Sequence, residues 1–142
     1  LMESASFYEL VSEQLQEPGA QVCVDLSGCD YLDSTFLGCL VKLHSAAQGS
    51  QPPGFRVFAP PDARQRLLRA LHLDRLLVMA ETLPATVGET VYVPFTVPNR
   101  EQLAELVADA HRRLSQLGGP CAEQFARIAD SVGGSKSQAS PE

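Results

Sequence analysis

Hydrophobic positions along the chain change period several times, and each change marks an element. Residues 6–16 place Tyr8, Val11 and Leu15 on one side of a helical repeat. Ser6 and Glu9 stand at capping-box spacing, and Glu17-Pro18-Gly19 is the stop signal. Residues 21–27 are apolar on both faces of an extended chain, as in a strand of a buried parallel sheet, and Ser27-Gly28 turns the chain. Cys29 to Asp33 form a short loop. From Ser34 to Ala47 the helical period returns through Phe36, Leu40, Leu43 and Ala47, widened by Leu37 and Val41. A Gly/Pro loop over 49–54 leads to a second strand, Phe55 to Ala59. Pro60 and Pro61 close that strand, and Asp62 is placed to cap a helix through Ala63, Leu67, Leu68 and Leu71. Leu76 to Ala80 reads as a third strand.

Helix, strand, helix, strand, helix, strand predicts an α/β fold with a small, mainly parallel sheet and covering helices. The remainder is different. Residues 81–98 mix Pro, Gly and Thr around a short alternating piece, Val91 to Phe95, in which Pro94 argues against a central strand. A helix from Asn99 to Leu117 follows, with Asn99 and Gln102 at capping-box spacing. Leu103, Leu106, Val107, Ala110, Leu114 and Leu117 form one stripe on it, and Gly118-Gly119-Pro120 ends it. A shorter helix carries Cys121, Phe125, Ile128 and Val132. The expected layout is an α/β domain over 3–82, a linker over 83–98, a C-terminal helical extension over 99–132 and a small, polar, disordered tail over 133–142. Packing on its own domain is the simpler role for the leucine stripe; the sharper one is a homodimer or partner helix.

Composition narrows the function classes. With 44% hydrophobic and 20% charged residues, the chain is an ordinary globular sequence. No apolar run approaches a membrane span of about 20 residues, and the first residues do not form a signal peptide. Both features point to the cytoplasm. The net charge of −6 and scattered basic residues argue against nucleic-acid binding. Cys23, Cys29, Cys39 and Cys121 form no CxxC pair and have no histidine at zinc-finger spacing, so they read as small buried hydrophobes in a reduced compartment. His44, His72 and His111 each stand alone in the sequence. No serine has nucleophile-elbow glycines, and no P-loop or GxGxxG is present, so neither an enzyme nor a cofactor is expected.

One stretch carries candidate chemistry. Asp33-Ser34-Thr35 lies where a strand gives way to a helix, so a hydroxyl pair meets the unpaired N–H groups of a helix start. Such a start tolerates negative charge, including that of a phosphoryl group. The plain reading of the same residues is helix capping.

The stretch Val22 to Leu40, with Asp25-Leu26-Ser27-Gly28, then Asp33-Ser34-Thr35 and Leu37-Gly38-Cys39-Leu40, resembles the STAS domain of anti-sigma factor antagonists and of sulfate-transporter tails. The resemblance extends over residues 3–82 and includes the Pro60-Pro61 step and Leu71-His72-Leu73-Asp74. It implies a cytoplasmic bacterial regulator of transcription that binds a protein partner. The unphosphorylated form sequesters an anti-sigma factor, itself a serine kinase, and phosphorylation ends the binding. Ser34 is the implied acceptor, with Thr35 second, and Asp33, Ser34, Thr35 and Phe36 shape the docking surface. Two departures stand out. Phe36 occupies the family's usual glycine position, and the strands with which the family begins are missing before the first helix. The rival expectations are a constitutive STAS-type scaffold of a larger signalling complex and a small-ligand-binding STAS domain.

Overall fold

A computed structural model describes residues 1–85, 88–94 and 96–138. Helix α1 spans Met2–Gln16 and precedes strand β1, Val22–Asp25. Helix α2, Ser34–Ala46, returns the chain to strand β2, Phe55–Phe58. Two short helices, α3 (Pro61–Leu67) and α4 (Leu73–Leu76), flank a single 3-10 turn at Arg69–Leu71. Helices α5 (Arg100–Ser115) and α6 (Ala122–Gln138) complete the described chain.

The strands β1 and β2 pair in parallel, with Val22 opposite Phe55 and Val24 opposite Val57. A parallel pair needs a crossover, and α2 supplies it. Leu37, Leu40, Val41 and Leu43 of α2 pack with Phe55 and Val57 of β2 in the core. Asp25 ends β1: its carboxylate accepts the Ser27 backbone N–H at 2.9 Å and the Ser27 hydroxyl, which turns the chain before the loop to α2.

Several boundaries differ from expectation. Helix α1 starts at Met2, so Ser6 is no cap; its hydroxyl instead accepts the Thr96 N–H at 3.2 Å. Helix α3 begins with Pro61 in its first position, the place where a missing N–H costs nothing, and Asp62 caps no N–H. The expected third strand is reduced to one parallel bridge, Val57 with Met79, held by Val57 N–H to Val78 O at 2.9 Å and Ala80 N–H to Val57 O at 2.8 Å. Leu76 belongs to α4 instead, where one helical turn buries Leu73 completely. Short apolar runs fit helix and strand equally well, and packing decides between them.

The expected capping box of α5 is present in full, Asn99 Oδ1 with Gln102 N–H at 2.8 Å and Gln102 Oε1 with Asn99 N–H at 3.1 Å. Helix α6 runs to Gln138, through Gly133 and Gly134, so residues 133–138 of the expected disordered tail are helical. Residues 139–142 of the expected tail, and Phe95 of the alternating piece, lie outside the described residues. Among the described residues no helix is long and apolar enough to cross a membrane.

All four cysteines are free, but only Cys39 is fully buried; the other three are half-buried. Burial pushes the Cys39 thiol up to about 12, so it stays protonated and unreactive. Iodoacetamide at pH 8.5 is expected to leave Cys39 unmodified in the folded protein and to label it after urea unfolding. Mass spectrometry of the digested protein checks this, and labelling of Cys39 before unfolding contradicts it.

Candidate functional site

The start of α2 is built from adjacent residues with separate tasks. Asp33 is the N-cap: its backbone is extended, and its carboxylate accepts the Phe36 N–H at 2.8 Å. Burial alone would raise its carboxyl. Hydrogen bonds from the Phe36 and Thr35 N–H groups act against burial and favour the ionised carboxylate. Because Asp33 does the capping, Ser34 is free of it.

Ser34 opens α2 and is half-buried. Its hydroxyl lies 2.8 Å from His111 Nε2, on α5, 77 residues further along the chain. The other ring nitrogen, Nδ1, lies 2.7 Å from the Val107 carbonyl. A carbonyl only accepts, so Nδ1 carries the proton, and in the neutral ring Nε2 is an acceptor. In that form Ser34 Oγ–H donates to His111. The ring is buried, 4% exposed, and lies 5.8 Å from the Phe125 ring of α6.

Thr35 is 3% exposed, which withdraws its hydroxyl from the surface and from the role of second acceptor in this conformation. Phe36 stacks on Phe7 of α1 with ring centroids 4.5 Å apart. Its bulk at the glycine position is thus taken up by α1, and the ring is not a free anchor for a partner. The sequence reading placed Asp33, Ser34, Thr35 and Phe36 together and set His111 aside as isolated. The fold reverses that last point. A sequence signal was available: His111 falls four residues after Val107 and three before Leu114, on the apolar face of α5, where a polar side chain needs a buried partner.

Two more contacts hold α5 to α2. Gly38 faces Ala110 so closely that a Cβ at Gly38 would stand 2.5 Å from the Ala110 carbonyl oxygen. One turn on, Lys42 Nζ lies 3.5 Å from Asp109 Oδ2 and 4.5 Å above the Tyr8 ring. Ser34, Gly38 and Lys42, spaced four apart on one face of α2, thus meet His111, Ala110 and Asp109. A cavity of about 320 Å³ lies between α5 and α6, lined by residues such as Ala108 and Arg112, and does not reach Ser34. No group of three or more His, Cys, Asp or Glu able to hold a metal occurs among the described residues.

The Asp33 cap is expected to contribute about 1 kcal/mol, so Asp33→Ala should lower stability by that amount in urea unfolding, while Asp33→Asn should lose much less. A double-mutant cycle of Ser34→Ala with His111→Ala should give a coupling of about 0.5–1.5 kcal/mol, and strict additivity would contradict the bond.

A family model described as "Mlab, STAS domain" matches residues 1–79, more than half of the chain. Comparison with curated proteins and with solved structures gives no match. The matched span ends at the Met79 bridge, so the linker and both C-terminal helices lie beyond it.

Proposed function

Since this chain belongs to the STAS domain family, we propose that it acts as an anti-sigma factor antagonist, a protein-binding module switched by phosphorylation of Ser34. STAS domains are in general binding modules without catalytic activity of their own, which supports the binding role. The observation that carries the reading is the placement of one half-buried serine hydroxyl at the first position of α2, with the neighbouring aspartate already committed to the cap. The partner is an anti-sigma factor that is also a serine kinase. It transfers the terminal phosphoryl group of a nucleoside triphosphate to Ser34 Oγ. The new P–O bond replaces the bond to the departing nucleoside diphosphate, and the hydroxyl proton passes to the kinase's base.

The energetics favour a switch that leaves the fold intact. A phosphoserine adds about −1.5 to −2 charges. At a helix N-terminus the dipole offsets only about 0.3–1 kcal/mol of its cost, whereas an uncompensated dianion in a protein interface costs several kcal/mol. Loss of about 1.4 kcal/mol is already tenfold in affinity, so phosphorylation ends binding without unfolding the domain.

A constitutive scaffold is the second reading, and Phe36 favours it, because stacking on Phe7 alters the surface around Ser34 from the family pattern. Phosphosite mapping after incubation with the cognate kinase separates the two. Label at Ser34 is expected; absence of label, or label elsewhere, argues for the scaffold. Ser34→Asp should weaken the partner complex at least about tenfold more than Ser34→Ala does. Equal affinities would contradict the switch.

A further inference from the structure

The hydroxyl that the proposed switch needs is already engaged, and by a part of the chain outside the span that defines the family. The α5–α6 hairpin touches the matched domain mainly along α2, with a lesser contact to α1. Ala110 and His111 are buried along this contact, and Leu114 joins the core cluster with Phe125 packed against it. Residues 81–98 contain no helix or named strand among those described, and the Ser6–Thr96 pair of hydrogen bonds fastens the strap at its far end. Val91 and Tyr92, in the middle of it, are 76% and 96% exposed. A hairpin on such a strap leaves its seat without straining the chain that connects it.

The seat is specific. It has a donor at Ser34, a gap at Gly38 where only a small side chain fits, and a cation at Lys42. The hairpin fills these in turn with an imidazole acceptor, a methyl group and a carboxylate from three successive residues, His111, Ala110 and Asp109. A partner that docks over Ser34 meets the same three demands.

We propose that the α5–α6 hairpin is an internal occupant of the α2 docking face, and that the partner displaces it by presenting a helix of the same pattern, a carboxylate, then a small residue, then a hydrogen-bond acceptor. The proposal rests on the reading that Ser34 lies in the docking surface. Phosphorylation acts on the same contact. Esterified Oγ has no proton to donate, so the unprotonated Nε2 of His111 loses its bond and faces an oxygen lone pair. Occupancy by the hairpin, by a partner and by a phosphoryl group are then competing states of one surface.

The test uses the full chain with Ala110→Leu, which enlarges the residue facing Gly38 and leaves the α2 face unaltered. The probe is a synthetic hairpin of residues 99–138 with the natural sequence. The proposal expects the probe to bind the Ala110→Leu chain at least about tenfold more tightly than the wild type, and to lose that binding when Gly38→Ala is added. Equal binding to wild type and Ala110→Leu, or binding indifferent to Gly38→Ala, overturns it. Should Ala110→Leu prevent folding, the milder pair Asp109→Lys with His111→Ala takes its place, read by amide hydrogen exchange. Exchange in α5 should then rise about tenfold with α2 and β2 unchanged. An equal rise throughout, or no rise, overturns the proposal. Encoding phosphoserine at Ser34 in the Ala110→Leu chain separates the two readings. Loss of probe binding supports both; binding that persists contradicts the phosphorylation switch and the competition between phosphoryl group and hairpin, and leaves occupancy of the α2 face by the hairpin standing.

Discussion

The absence of a side chain at Gly38 governs how the two parts of this molecule fit. With a Cβ there, α5 would collide with α2 at the Ala110 backbone. Without it the helices approach closely enough for His111 to reach Ser34 and for Asp109 to reach Lys42. Neither polar contact would hold the hairpin by itself. A surface ion pair contributes about 0–1 kcal/mol, and a neutral hydrogen bond about 0.5–1.5 kcal/mol. The close helix contact, with Ala110 and Leu114 buried, is what brings these weak bonds together. Glycine is unfavourable inside a helix by about 1 kcal/mol relative to alanine, a cost that α2 bears in the interest of this approach.

His111 illustrates how a buried polar group can be both a liability and a selector. Its two nitrogens are fully used, one by a carbonyl of its own helix and one by a hydroxyl of another. Removing either partner leaves a buried polar atom unpaired, which costs more than the bond contributes. The hairpin's fit is therefore sensitive to the chemical state of one serine. That is the property a modification-controlled contact needs, and it arises here from packing as much as from the motif.

Much of this architecture was legible from the residues. The βαβ unit over Val22 to Phe58, the helix opening at Ser34, and the Asn99–Gln102 capping box all follow from period and punctuation. Asp-Ser-Thr before an apolar run announced a cap, although which of the residues did the capping was decided by backbone geometry. The third strand shrinks to a single bridge because Leu76 to Ala80 is too short for periodicity to distinguish a helical turn from a strand. The Ser34–His111 pair was hidden for a different reason. Contacts between residues 77 apart depend on how a linker returns the chain, and no local pattern encodes that. What the sequence did hold was a histidine in a leucine stripe, which asks for a partner without naming it.

The account depends on Ser34 donating to a neutral His111, and the imidazole nitrogens report on this directly. Long-range proton–nitrogen NMR of the His111 ring in the wild-type chain is predicted to show Nδ1 protonated and Nε2 unprotonated, with the Nε2 resonance moving when Ser34→Ala removes the donor. A ring protonated on Nε2, or an Nε2 signal unmoved by Ser34→Ala, would contradict the account.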